Sequence, residues 1–241
     1  MTSTPDTVVG ELAPTGALRV SINLGNPVLA QGDPGAPRGV TVDIARELGR
    51  RLGVPVQTLC FDAARKSYEA MAEGRADLCF LAVDPAREEQ VAFTRPYVAI
   101  EGVYVVREDS PVRTAQDVDR KGVRVGVKEG SAYDLHLTRE LTGARLVRGA
   151  EGVDVYVAEG LEVGAGIRQP VEAFVDSHAG YRVVEPAFME IRQAVGTLRS
   201  RSAAAVARLD ALVGDLVAEG FVARSLERSG QSPTLVADGR P

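Results

Sequence analysis

Short, continuously apolar runs recur along the chain, separated by segments whose apolar positions fall at helical spacing. Runs at 18–24 (LRVSINL), 54–59 (VPVQTL) and 77–83 (DLCFLAV) predict strands, as do 103–107, 123–128, 145–148, 163–167, 181–184 and 194–199. Several are apolar at every position, the pattern of strands buried on both faces of a parallel sheet. Within 42–52, Ile44, Ala45, Leu48 and Leu52 form one helical stripe, and Gly53 supplies the stop. Helical spacing also marks 63–73, 132–141, 171–177 and 202–219, the last through Val206, Leu209, Leu212, Val213, Leu216 and Val217. The alternation predicts an α/β fold with mainly parallel sheets.

A short echo divides the chain. Ala72-Glu73-Gly74 closes one helical stretch ahead of an apolar run, and Ala158-Glu159-Gly160 closes another ahead of the run at 163–167. The echo fits two similar α/β lobes joined by extended strands near 103–107 and 193–198, with Ser110-Pro111 turning the chain into the second lobe. Lobe one is expected to comprise 1–103 and 192–241, and lobe two 104–191. Residues 232–241 carry no helical pattern and are expected to be loosely held.

Composition narrows the function classes. The 241 residues carry 28 basic and 33 acidic side chains, a net charge of −5, which gives no electrostatic reason to expect a nucleic-acid partner. Trp is absent and aromatics make up 5%, so a stacking platform for bases is not expected. No apolar run approaches the ~18 residues of a membrane span. The stretch from Met1 to Pro14 has no basic start and no apolar centre, so it does not read as a secretory signal. The chain as written is therefore expected in the cytoplasm, or in the periplasm or extracellular space if a leader has been removed. Cys60 and Cys79 sit in apolar stretches and are expected to be reduced and buried. His136 and His178 have no partner at metal-binding spacing, and neither a phosphate-cradling loop nor a GxSxG elbow occurs. No metal and no cofactor is expected, and the chain is expected to be a monomer.

Ordered landmarks then become specific. Gly16-Ala17-Leu18-Arg19-Val20 is followed by Gly39-Val40-Thr41-Val42-Asp43-Ile44-Ala45, and Gly74-Arg75-Ala76-Asp77-Leu78 leads to Asp84-Pro85-Ala86-Arg87 and Phe93-Thr94-Arg95-Pro96-Tyr97. Gly122-Val123-Arg124-Val125-Gly126-Val127 leads in turn to Gly130-Ser131. This succession, spanning about 16–230, resembles the bacterial extracellular solute-binding proteins that serve polar amino-acid ABC transporters. The resemblance implies the two-lobed type II periplasmic-binding fold, with two hinge strands and a ligand cleft between the lobes. Its runs GNPVLA, FLAVDPAR, IEGVYVV, GSAYDLHLTREL and AGIRQP also resemble a subgroup of that family.

Carried over residue by residue, the resemblance makes Arg87 the group that grips a ligand carboxylate, a task suited to a planar guanidinium that forks both oxygens. The alternative for Arg87 is a surface pair with Glu88 or Glu89. Gly130, Ser131 and Ala132 fall at a strand-to-helix turn where backbone amides and a hydroxyl would meet the same carboxylate, while Ser131 also reads as a plain N-cap. Departures matter too. Ala82 and Phe80 stand where relatives usually hold hydroxyls, Ala132 replaces a second hydroxyl, and Gln169 aligns where many relatives hold a carboxylate for the ligand ammonium. The carboxylate half of an amino-acid site is thus expected to be kept. The amine half would fall to Glu101, Asp84 or water, or the ligand is a carboxylic or keto acid. Asn26, Tyr133 and Arg168 complete the residues expected at or near the cleft. Each has a structural alternative: Asn26-Pro27 is a turn pair, Phe80 a core residue, Tyr133 a hinge cover.

Two function classes follow. The first is a non-enzymatic binder of a small carboxylate-bearing metabolite, an amino acid or related organic acid, delivering it to an ABC permease if exported or acting as a sensor if cytoplasmic. The second is a dehydratase-like enzyme acting on a cyclic or hydroxy carboxylic acid, with Glu101, Asp84 or Tyr133 as its acid or base.

Overall fold

The computed structural model describes residues 5–238, which fall into two compact units, 5–99 with 192–238, and 100–191. In chain order the first unit holds α1 (Pro5–Leu12), β1 (Leu18–Asn23), α2 (Val40–Leu52), β2 (Val56–Phe61), α3 (Ala64–Ala72), β3 (Leu78–Ala82) and α4 (Pro85–Glu88). The long β4 (Val91–Arg107) belongs to both units. The second unit continues with β5 (Arg124–Lys128), α5 (Ala132–Glu140), β6 (Arg145–Gly149), α6 (Gly152–Ala158), β7 (Val163–Ile167) and α7 (Arg168–Ser177). A second long strand, β8 (Tyr181–Leu198), returns the chain to the first unit, where α8 (Ala203–Ala218) and α9 (Phe221–Arg228) close it.

Each unit repeats one plan. In the first, β1 lies between β2 and β3 and runs parallel to both, and β8 adds antiparallel to β3 with Cys79 opposite Gly196. In the second, β5 lies parallel between β6 and β7, and β4 adds antiparallel to β7 with Val103 opposite Gly166. Because β4 and β8 belong to both units, the hydrogen-bonded order reads β2-β1-β3-β8-β4-β7-β5-β6. The echoed Ala-Glu-Gly triplets end α3 and α6, where Gly74 and Gly160 take φ of 70° and 57°, a region that favours glycine.

An acid that the sequence places in a motif anchors the first unit. Asp77 is fully buried, and its carboxylate accepts from Arg19 Nε (2.9 Å), Nη2 (2.7 Å) and the Arg19 backbone amide (3.0 Å). Its own amide donates to the Arg19 carbonyl at 2.7 Å, and its carbonyl accepts from the Thr197 hydroxyl at 3.0 Å. β1, β3 and β8 are thereby fixed in mutual register. Around β3, Met71, Ala76, Cys79, Leu81 and Val91 form one buried cluster. Both cysteines are free, Cys79 buried and Cys60 half-buried, and burial pushes the Cys79 thiol up to about 12. In the second unit Val103, Val105, Tyr156, Leu161 and Val171 make the core.

Several expectations need correction. β4 has 17 residues and β8 has 18, where the apolar pattern marked only 103–107 and the separate pieces 181–184 and 194–199. Pro96 and Pro186 interrupt the sequence signal, because proline lacks a ladder donor. The ladder tolerates them, and the Thr94 hydroxyl takes the Val195 amide at 3.2 Å. The short helices α1, α4 and α9 fall outside the stretches marked as helical, although α9 is amphipathic, with Val222 and Leu226 on its buried face. The tail is also held more firmly than expected over 232–238. Ser232 caps a 3-10 turn at Pro233–Leu235, Val236 bridges Val98, and the Ala237 amide donates to the Tyr97 carbonyl at 3.2 Å. These are tertiary contacts that local periodicity does not encode. Residues 1–4 and 239–241 of the two terminal stretches lie outside the described residues.

Two predictions follow from this packing. A Cβ at Gly152 would stand 2.2 Å from the Ala165 carbonyl oxygen and 3.0 Å from that of Gly126, both backbone atoms that cannot swing away. Gly152→Ala is expected to destabilise the second unit by about 1–3 kcal/mol, read from urea unfolding. The second concerns pH. Asp119 accepts the amides of Thr142, Gly143 and Ala144, and Glu47 accepts from Arg50 and Arg51, holding both carboxyls at about 2. A folded-state pKa below the ordinary value of about 4 contributes stability that is complete above that value and is lost as pH falls towards 2. The melting temperature should therefore drop across that window, and Asp119→Asn should flatten the drop while lowering the plateau at neutral pH.

Candidate functional site

Most of the nominated residues sit where parallel strands end and helices begin, the usual place for ligand sites in α/β sheets, while Phe80 lies within β3 and Glu101 within β4. In the first unit, β3 runs out at Ala82 and α4 starts three residues later, at Pro85. Asp84 caps α4 through its carboxylate, which accepts the Ala86 amide at 2.9 Å. Pro85 follows at the first helical position, where its missing N–H costs nothing. This tight turn folds Arg87 back over the strand end, and its Nη1 donates to the Ala82 carbonyl at 3.0 Å. Arg87 is 3% exposed. Burial lowers its pKa from the usual arginine value, while the nearby Asp84 charge works the other way. Arg87 is therefore not the surface pair with Glu88 or Glu89 that the sequence left open.

Phe80 and Asn26 take their structural alternatives. Phe80 points into the core of the first unit, edge-on to Tyr97 with ring centroids 6.0 Å apart. The Asn26 carboxamide oxygen accepts the Val28 amide at 3.2 Å, and its carbonyl accepts the Leu29 and Ala30 amides, which makes it the former of the turn after β1.

In the second unit, β5 leads into α5 through Gly130, whose φ of 67° suits glycine. Ser131 is the N-cap, and its Oγ accepts the Asp134 amide at 3.0 Å. Asp134 answers by accepting the Gly130 amide at 2.8 Å, and Arg148 braces it at 3.0 Å. The Ser131 amide is turned to the Lys128 carbonyl. The Ser131 hydroxyl also hydrogen-bonds with the Tyr133 phenol, and the first-turn amides of Ala132 and Tyr133 have no acceptor within the helix. Tyr133 is 4% exposed, and burial raises its phenol above the usual value. Ser131-x-x-Asp134 is a capping pattern that could have nominated Asp134 from the sequence.

At the end of β7 the chain enters α7 through Arg168, Gln169 and Pro170. Glu101 is not available as a free anion, because Arg168 Nε donates to it. The same guanidinium reaches Glu172 at 3.1 Å and forks Glu185 at 2.6 and 2.9 Å. Gln169, one residue on, has a buried Oε1 with no hydrogen-bond partner. Only the β4–β7 register, with Gly102 opposite Ile167, brings Arg168 beside Glu101. A polar hollow of about 370 Å³ also opens in the first unit between Gln31, Arg38, Asp43, Ser225 and Arg228. None of the nominated residues line it, and Ser225 and Arg228 are spent on Asp43 at 2.5 and 2.8 Å. Among the described residues no helix is long and apolar enough to cross a membrane.

Comparison with known proteins places this geometry. The family of bacterial extracellular solute-binding proteins, family 3, matches residues 18–231. The amino-acid-binding protein AabA of Dichelobacter nodosus is 26% identical over 110 residues, which is 45% of this chain and 43% of that protein, so the match spans less than half of either. Among solved structures, an ABC transporter binding component from Wolinella succinogenes complexed with lysine superposes with a TM-score of 0.74 at 16% identity, covering 89% of this chain and 95% of that one. The arginine-bound form of truncated ArgBP from T. maritima gives 0.69 at 22%, covering 86% and 99%. An ancestral amino-acid-binding protein, a precursor of cyclohexadienyl dehydratase, gives 0.72 at 18%, covering 91% and 98%. At these identities the likeness establishes the fold, that of the type II periplasmic-binding proteins.

The α5 cap supplies a direct test of the local geometry. Ser131→Ala removes the acceptor for the Asp134 amide and is expected to cost about 1 kcal/mol of stability. Ser131→Asp should restore most of it in chemical unfolding, since a carboxylate also caps.

Proposed function

Because the chain belongs to the bacterial extracellular solute-binding proteins of family 3, we propose that it binds a small carboxylate-bearing metabolite, an amino acid or a related organic acid, without transforming it. The observation that carries this reading is Arg87. A buried guanidinium at the carboxyl end of a parallel strand, held there by a bond to the Ala82 carbonyl, has the charge and planar shape that fork a carboxylate. In this reading Arg87 of the first unit forks the carboxylate.

The binding reading is favoured over the dehydratase one by the state of the groups an enzyme would need. Glu101 is engaged by Arg168, Asp84 is spent as the α4 cap, and the Tyr133 phenol is driven up by burial, away from the range useful for proton transfer near neutrality. The role that fits such a binder is the solute-binding component of an ABC transporter if the protein is exported, with the permease as its partner. A solute sensor is the corresponding role in the cytoplasm.

Calorimetry tests the reading. A screen of amino, hydroxy and keto acids against the wild-type chain should find at least one that binds saturably and is recovered unchanged. Arg87→Ala should then weaken that acid by roughly 2–5 kcal/mol, and Arg87→Lys should also be harmful, since an ammonium cannot supply two parallel hydrogen bonds. Binding within threefold of wild type in Arg87→Ala would overturn the carboxylate site, and turnover of the bound acid would favour the enzyme.

A further inference from the structure

We propose that the polar hollow of the first unit binds a small hydroxylated organic anion, a sugar acid or a sugar phosphate, with Arg38 and Arg228 holding its charged end. The proposal goes beyond the solute-binding reading, because no residue nominated for that reading lines the hollow. Its volume of about 370 Å³ lies within the usual range for small-molecule sites, roughly 300–1,000 Å³. Three parts of the first unit surround it: the stretch after β1, the first turn of α2, and the end of α9 with Gln231. Two guanidiniums and one carboxylate line it, an excess of one positive charge, and no lining side chain is aromatic. That combination calls for an anion and offers no ring on which a base could stack.

The walls are built before any ligand arrives. Asp43 Oδ2 accepts from the Ser225 hydroxyl at 2.5 Å and from Arg228 Nη2 at 2.8 Å, which ties α2 to α9. The Arg228 guanidinium also lies over the Phe221 ring, 6.0 Å from its centroid, so two groups orient it. Gln31 and Arg38 exchange backbone hydrogen bonds, each at 2.9 Å, which sets the two residues side by side. Much of the polar capacity is left over. Arg228 spends on Asp43 only one of the five N–H donors of a guanidinium, and among the described residues the Arg38 side chain makes no hydrogen bond or ion pair. Guanidiniums with donors to spare suit the planar or tetrahedral oxygens of a carboxylate or phosphate. Asp43 directs both of its bonds through Oδ2, so Oδ1 and the Gln231 carboxamide remain to meet hydroxyl groups.

The test is calorimetry on the full chain with glucose 6-phosphate, gluconate, inorganic phosphate and glucose as probes. At least one of the two sugar anions should bind saturably, one per chain, and comparison with the other shows whether phosphate or carboxylate is preferred. Glucose and inorganic phosphate should each bind at least tenfold more weakly, because each lacks half of the pattern. Arg38→Gln and Arg228→Gln should each weaken the bound sugar anion at least tenfold. Arg38 holds no other side chain in place, so its variant carries the test if Arg228→Gln fails to fold. Parallel titrations of Arg87→Ala separate the hollow from the carboxylate site: binding that survives Arg87→Ala and is lost in Arg38→Gln belongs to the hollow. Affinity within threefold of wild type in Arg38→Gln, loss of binding in Arg87→Ala, equal binding of glucose or inorganic phosphate, or no saturable binding of either sugar anion would overturn the proposal. Failure here leaves the solute-binding reading to its own acid screen.

Discussion

The carboxylate of Asp77 is buried without any exposure, and a bare charge there would be untenable. Arg19 answers it with a fork and a backbone amide, and Arg201 adds a longer contact at 3.5 Å. Removing one partner of such a pair strands the other, so the pair locks register more than it adds stability. Because the Asp77 amide and carbonyl also bond β1 and β8, the position of β3 is settled at the residue just before it. The far end of that short strand is Ala82, whose carbonyl aims Arg87. A salt bridge at the start of β3 therefore decides where the guanidinium at its other end lies.

The second unit reaches a similar arrangement by different chemistry. β5 ends in Gly130, and the α5 start is organised by Ser131 and Asp134 serving each other's turn. The Asp134 carboxylate takes the Gly130 amide while the Ser131 hydroxyl takes the Asp134 amide, so one pair of side chains holds both the turn and the helix start.

Charge placement separates the two strand ends. At β3 the cation is buried and turned to a neutral carbonyl; at β7 the cation is half-buried and surrounded by acids. Burial lowers the pKa of Arg87 against the nearby Asp84 charge, whereas hydrogen bonds to Glu185, Glu101 and Glu172 raise that of Arg168. Two arginines of the same intrinsic chemistry are assigned different work by what surrounds them.

Sequence periodicity alone determined the alternation of strands and helices, the glycine stops at Gly53, Gly74 and Gly160, and the two-fold echo, because these are local properties of the backbone and of one buried face. The order of motifs around Arg19, Asp77 and Arg87 pointed to the family. Periodicity could not show that β4 and β8 run on through Pro96 and Pro186, since continuity there depends on neighbouring strands and on Thr94 replacing a carbonyl. Nor could it choose between a core ring and a ligand contact for Phe80, or between a turn former and a ligand for Asn26. The engagement of Glu101 was decided only by strand register, which sets Gly102 opposite Ile167 and so brings Arg168 within reach. Local pattern specifies which groups are present; the pairing of distant strands specifies which of them are already satisfied.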